Sequence, residues 1–215
     1  MPEKKSPCLY IIAGPNGAGK SLNSEKLLPP GLPSFDFDKT VLAFYDSDKS
    51  DHELKFDFAY KKATDLFKKE ITKAIENYSD FAYETNFFTD NCMHWPNKFK
   101  AKRFKTKILF LALQDIDISK RRVDIRVKMK GHFVPEKQIE ERYKGSLNKA
   151  NKHFKNFDSF TLIDATGKSI KPILSIENGK VTSIVKLIPD YLKDLFKPIF
   201  KEVNKQLDKD KGISL

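Results

Sequence analysis

The chain has 215 residues and a mass of 24.8 kDa, room for one domain of ordinary size with a buried core. A hydrophobic fraction of 40%, with 12% aromatic residues, excludes wholesale disorder and collagen-like or low-complexity architectures. Lys and Arg number 40 against 29 Asp and Glu, and the formal net charge of +11 favours anionic partners such as nucleotides, nucleic acid or acidic surfaces without choosing among them.

The basic start with Lys4 and Lys5 leads into an apolar run from Cys8 to Ala13 that Gly14 and Pro15 end. That run is too short for a signal-peptide core or a membrane span, so neither an export signal nor an anchor is expected. It reads instead as a strand buried on both faces of a parallel sheet. A helix should follow from about Lys20 to Leu28, stopped by Pro29, Pro30, Gly31 and Pro33. Leu54, Phe58, Ala59, Leu66, Phe67, Ile71, Ala74 and Ile75 recur near helical spacing and predict a long amphipathic helix from about Glu53 to Asn77. Phe81 to Phe87 reads as a short strand. Cys92, with Cys8 the second of two cysteines, lies in a polar stretch; the pair supplies neither a disulfide framework nor a zinc site, and a reducing cytoplasm is the expected compartment.

Lys107 to Leu113 reads as a buried strand after a basic connector, Asp117 to Val127 as an arginine-rich helix, and Glu136 to about His153 as a further helix beyond a break at Gly131 to Pro135. Phe160 to Asp164 returns to strand. Asn178-Gly179 between Ile173 to Ile176 and Val181 to Val185 is a strong hairpin signal. Leu192, Leu195, Phe196, Ile199, Val203 and Leu207 mark a C-terminal helix that Pro198 would break, with a frayed end from Asp208. No repeat or linker divides the chain, so a single domain over 1–215 is expected, with 188–215 as a helical extension. Alternating helices and non-adjacent buried strands point to an α/β fold, a three-layer sandwich around a mostly parallel sheet with a C-terminal hairpin and helix; the phosphate-loop motif at Gly14 to Ser21 makes it a P-loop NTPase sandwich.

The P-loop is the sharpest signal. Gly14-Pro15-Asn16-Gly17-Ala18-Gly19-Lys20-Ser21 fits G-x-x-x-x-G-K-[ST] at every fixed position, between a buried strand and a helix start. Its glycines would turn backbone amides toward a phosphate, Lys20 would reach the β and γ phosphates, and the Ser21 hydroxyl would ligate Mg²⁺. A phosphate loop implies a nucleotide, not a reaction. There is no N/T-K-x-D guanine-selecting tetrapeptide, and the length leaves no room for an added motor domain, so a compact kinase of a small acceptor is the economical reading.

The acidic and basic candidates lie further along. If Ser34 to Asp38 is extended, Asp36 and Asp38 share a side, and one of them could accept a hydroxyl proton; a helix cap before Lys39 is the competing reading. Glu84 and Thr85 end a strand, where ligands lie in parallel sheets, and could hold acceptor hydroxyls or metal-bound water; an exposed strand end is the competing reading. Arg122 and Arg126 share a helix face and Arg142 sits on the next helix, positions from which a closing lid could bring charge to a phosphate in flight; a solvated basic face is the alternative. His132, with no ligand-type residue at metal spacing, reads as a turn residue. The run Lys98 to Lys107 with Phe99 and Phe104 could suit nucleic acid, but reads first as a solvated approach to a strand.

Several segments together resemble the zeta-toxin-like P-loop kinases: Ile11 through Ser21, Phe35-Asp36-Phe37-Asp38, Phe81 to Thr85, Arg122 through Arg126-Val127, Gly131-His132, Val134-Pro135, Arg142-Tyr143, and Asp164 to Gly167 with the hairpin after it. The resemblance covers about residues 6 to 187. It implies an ATP- or GTP-dependent kinase; well-known members phosphorylate the 3′-hydroxyl of UDP-N-acetylglucosamine and so interfere with cell-wall precursor supply, which makes an antitoxin protein a candidate partner. Carried over by position, Gly14 to Ser21 bind the nucleotide with Mg²⁺ on Ser21, and Asp38 is the general base. Glu84 and Thr85 hold the acceptor, Arg126 and Arg142 clamp the transferring phosphate, and Asp164 to Gly167 border the base. Asp36 stands where many relatives have Asn, Leu22 where Thr is usual, and Lys130 replaces a glycine. Two other readings remain: a polynucleotide kinase or nucleic-acid-binding P-loop protein, which the net charge would serve, and a nucleotide-binding regulator without transfer activity, which the apparent completeness of the transfer groups disfavours.

Overall fold

The computed structural model describes residues 6–50, 52–129, 131 and 133–212, the last three by backbone alone. Lys130 and His132 lie outside the described residues. The strands are β1 (Cys8–Ala13), β2 (Ser34–Phe35), β3 (Phe81–Thr85), β4 (Lys105–Ala112), β5 (Ser159–Asp164), β6 (Lys171–Glu177) and β7 (Lys180–Ile184), in the order β2-β3-β1-β4-β5-β6-β7. The first five in that order are parallel, β6 pairs antiparallel with β5, and β7 pairs antiparallel with β6.

Consecutive residues of the central strands are buried, Leu9, Ile11, Ile12 and Ala13 in β1 and Phe110, Leu111 and Ala112 in β4, so both faces of the sheet are covered. The covering helices are α1 (Lys20–Leu27), α2 (Phe37–Ser47), α3 (Lys55–Glu76), α4 (His94–Ala101), α5 (Ile116–Lys128), α6 (Glu136–His153), α7 (Asp190–Leu195) and α8 (Lys197–Gly212), which makes the three-layer α/β arrangement. Leu192, Phe196, Ile199 and Val203 join the main core, with the Phe196 ring against Phe110 at 5.7 Å. The β6–β7 turn has Asn178 at φ 49° and Gly179 at φ 77°, the two left-handed residues that a tight hairpin needs. No helix among the described residues is long and apolar enough to cross a membrane.

Three expectations change. The stretch before β4 is not a connector: residues 94–101 form α4, and Phe99 and Phe104 are buried against each other at 4.7 Å. The lysines around them face water while the rings are spent on the core, which removes the aromatic platform for nucleic acid. The break near Pro198 falls at Phe196, and the proline sits in the first turn of α8, where its missing N–H costs nothing. That helix continues to Gly212 rather than fraying from Asp208, Leu207 still packing on the core one residue earlier.

Candidate active site

β1 ends at the centre of the sheet and hands the chain to the P-loop. Gly14 has φ 144°, and a Cβ there would lie 2.3 Å from the carbonyl oxygen of Leu111 on β4. Gly17 and Gly19 also have positive φ, and Gly19 caps α1 with no side-chain hydrogen bond. The first turn of α1 therefore leaves amides and the positive end of the helix dipole for an anion, and that turn contains no acidic residue of its own. Lys20 folds back over the loop, its Nζ donating to Gly14 O at 2.8 Å, Pro15 O at 3.1 Å and Asn86 Oδ1 at 3.0 Å. Burial lowers this ammonium to about 8, against the pull of Asp38, Glu84 and Asp36 in the other direction.

Residues 34–38 are not extended throughout. Only Ser34 and Phe35 pair with β3; Asp36 is the N-cap of α2, accepting from Lys39 N at 3.0 Å, and Asp38 lies in the first helical turn. The capping side chain wins because an aspartate just before a helix satisfies an amide that would otherwise have no partner. The two carboxylates thus do not share a strand face and have separate tasks. The other oxygen of Asp36 lies 2.6 Å from Ser21 Oγ, and Glu84 Oε2, at the end of β3, lies 2.6 Å from the same hydroxyl. One hydroxyl proton cannot serve two carboxylates. Burial raises the Glu84 carboxyl from its ordinary value, with Asp36 adding repulsion and the Ser21 hydrogen bond opposing. Asp38 also lines the cavity, and no hydrogen bond engages its carboxylate among the described residues.

The arginines divide as well. Arg122 donates to four backbone carbonyls, of Gly17, Ala165, Thr166 and Gly167, at 2.8–3.1 Å. Arg126, one turn on, reaches the cavity wall, as does Arg142, which donates to Gln138 Oε1 at 3.0 Å and lies over the Phe88 ring at 5.8 Å. α5 and the start of α6 share a small core of Val123, Val134 and Ile139 separate from the main one, and Lys120 pairs with Glu136 and Glu140 across them.

Lys20, Ser21, Asp36, Asp38, Glu84, Arg122, Arg126 and Arg142 all line one cavity of about 940 Å³. Asn16, Gly17, Gly19, Lys20 and Ser21 line its phosphate end; Gly14, Pro15 and Ala18 form the back of the loop. Asp36, Asp38, Glu84 and Thr85 line the middle, and the far wall is aromatic: Phe35, Phe37, Tyr60, Phe67, Tyr83 and Trp95. Thr85 Oγ1 accepts from Phe87 N at 3.0 Å, which fixes the turn out of β3. The sequence reading missed Asn86, adjacent to the Glu-Thr pair, and the aromatic wall, whose members come from five separate elements. Phe37 and Tyr60 touch at 5.1 Å, and Phe67 meets Tyr83 at 5.6 Å and Trp95 at 5.9 Å, contacts that no local spacing announces.

The family model for the zeta toxin matches residues 1–171. The chain belongs to the zeta-toxin family. No curated protein sequence matches it. Among solved structures, it is similar to a complex of AvrRxo1-ORF1 with AvrRxo1-ORF2 containing sulphate ions, at a TM-score of 0.68 and 11% identity over 91% of this chain and 65% of that one; the same complex with ATP gives 0.67 at 11% identity, over 91% and 65%. The PezAT toxin–antitoxin system of Streptococcus pneumoniae gives a TM-score of 0.60 at 15% identity over 96% and 88%, and the Pnkp1/Rnl/Hen1 RNA repair complex 0.54 at 18% over 86% and 52%. The chain thus spans less than two thirds of the length of the chains it matches in the AvrRxo1 and RNA repair complexes. At these identities the likeness is one of fold.

Proposed function

We propose that this protein transfers the γ-phosphate of ATP or GTP to a hydroxyl of a small molecule, with a sugar nucleotide such as UDP-N-acetylglucosamine as the leading acceptor. The observation that carries the reading is the convergence of Ser21, Asp36 and Glu84 on one point beside Lys20, with Asp38 lining the same cavity. Three hard oxygen donors around one shared proton suit Mg²⁺, which Ser21 would hold with the two carboxylates near it. Bound there, the ion would neutralise charge on the β and γ phosphate oxygens.

The chain's own groups account for the rest. Asp38 takes the proton of the acceptor hydroxyl as its oxygen bonds to the γ phosphorus and the bond to the β-phosphate oxygen breaks, releasing the nucleoside diphosphate. Lys20 leaves its carbonyl partners for the phosphates, while Arg126 and Arg142 supply charge to the transferring group when α5 and α6 close. Glu84, Thr85 and Asn86 lie where acceptor hydroxyls arrive, and the aromatic wall accommodates a flat ring such as a nucleobase.

The family match and the likeness to the PezAT toxin–antitoxin system support a toxin role with an antitoxin protein as partner. The test is incubation with γ-labelled ATP or GTP, Mg²⁺ and a panel of sugar nucleotides, nucleosides and 5′-hydroxyl oligonucleotides. Label on a sugar nucleotide is the expected outcome; label on the oligonucleotide alone would establish the polynucleotide-kinase alternative, and no transfer to any acceptor would overturn the kinase reading.

A further inference from the structure

Arg122 lies on the same helix face as Arg126, yet the hydrogen bonds of its guanidinium go to backbone: Nη1 to Gly17 O at 3.1 Å and Ala165 O at 2.8 Å, Nη2 to Thr166 O at 2.8 Å and Gly167 O at 2.9 Å. A guanidinium only donates, and four carbonyls around it occupy most of that capacity. The carbonyls belong to two different loops, the P-loop after β1 and the segment after β5, which the order β1-β4-β5 separates by one whole strand. Arg122 therefore spans β4 from above and joins the two.

Both loops are built to be held. Ser119, one turn earlier on α5, donates to Asn16 O at 2.5 Å, and a Cβ on Gly17 would lie 3.0 Å from Arg122 Cβ. On the other side, Thr166 N donates to Asp164 Oδ1 at 2.9 Å, while Thr166 Oγ1 accepts from Gln114 N at 3.0 Å and lies 3.2 Å from Tyr191 Oη. The aromatic acceptor wall occupies the β2–β3 side of the P-loop. A nucleotide with its phosphates in that loop must then extend its ribose and base toward the β4–β5 side, past Arg122.

We infer that Arg122 is a positioning residue that sets the distance between the P-loop and the segment Ala165–Gly167, and thereby determines how much of the nucleotide's affinity comes from its base end. The inference rests on the nucleotide-binding part of the kinase reading. It predicts a particular split: losing the guanidinium should harm a ligand that touches both loops and spare one that touches only the P-loop.

The experiment compares dissociation constants of ATP and inorganic tripolyphosphate, each with Mg²⁺, for the wild type, Arg122→Gln, Arg122→Lys and Tyr191→Phe, with circular-dichroism melts to confirm folding. Arg122→Gln should weaken ATP by about tenfold or more and tripolyphosphate by no more than about twofold, with Arg122→Lys between it and wild type. Tyr191→Phe removes one hydroxyl on Thr166 and leaves the guanidinium intact, so it should show the same selective loss on a smaller scale even if the Arg122 variants do not fold. Equal weakening of both ligands, or no weakening of either, overturns the inference, as does a wild type that binds ATP no more tightly than tripolyphosphate. A wild type that binds neither ligand fails the kinase reading itself and is distinguishable on that ground.

Discussion

At the scale of single residues, the structure separates two aspartates that the sequence places two positions apart. Asp36 is occupied on both oxygens, by the Lys39 amide and by Ser21, whereas Asp38 lines the cavity with no hydrogen bond to its carboxylate among the described residues and is the proposed base. Asp38→Asn should therefore leave nucleotide binding near wild type and lower single-turnover transfer by about a hundredfold or more. Asp36→Asn keeps the cap, since asparagine caps as well as aspartate, and should chiefly weaken the response to Mg²⁺ concentration. Reversed phenotypes would move the base to Asp36. Lys20 carries a pH signature. In the empty protein it loses its proton as pH rises through about 8, below the 10.5 expected of an unfolded chain, so its buried charge destabilises the fold below that pH and the penalty fades between about 8 and 10.5. Polyphosphate favours the charged lysine, so nucleotide binding at pH 9 should take up protons and affinity should fall as pH rises above about 8. Calorimetry in two buffers of different ionisation enthalpy checks this; identical heats in both would refute it.

At the scale of elements, α5 and α6 decide how the arginines are presented. The C-terminal half of α6 is fixed in the main core by Tyr143, Leu147 and Ala150, while its start packs with α5 in a core of its own. Arg126 rides on the second body and Arg142 stands at the junction. Gly145 lets α6 approach the segment after β3, for a Cβ there would lie 2.9 Å from Phe88 Cβ and 3.2 Å from Phe88 O. Gly145→Ala should push the helix away one turn from Arg142 and lower kcat by about tenfold with little change in nucleotide affinity, read by steady-state kinetics beside nucleotide titration. An unchanged kcat would show that Arg142 is not positioned through this contact. Helices α2 and α4 escaped the sequence reading because each is short and begins on residues, Asp36 to Asp38 and Asp90 to His94, whose composition is equally that of a turn.

At the scale of the molecule, the P-loop stands at the middle of the sheet, and its first glycine is pressed on the neighbouring strand. Gly14→Ala places a methyl 2.3 Å from Leu111 O, against backbone that cannot swing aside, so it should disturb the β1–β4 junction and abolish nucleotide binding. Ligand binding to the native state alone should in turn raise the melting temperature. At a nucleotide concentration a hundred times its dissociation constant the gain is about 2.7 kcal/mol, or roughly 5–10 °C for a domain of this size, and Lys20→Ala should lose most of it. A shift of the same size in Lys20→Ala would mean that the nucleotide binds elsewhere.

What the sequence determined by itself was local: the buried strand of β1, the P-loop beside it, the period of α3, the Asn178-Gly179 hairpin, and, through its motifs, the family. Each depends on residues close together in the chain, where periodicity, turn chemistry and spacing act directly. Tertiary structure decided which of those residues meet. Glu84 reaches Ser21 across 63 positions, Arg122 reaches Gly17 across 105 and Ala165 across 43, and the aromatic wall is drawn from five elements. These meetings follow from strand order, which puts β3 and β4 on either side of β1, and that order is set by the burial of whole sheet faces rather than by any segment's own pattern.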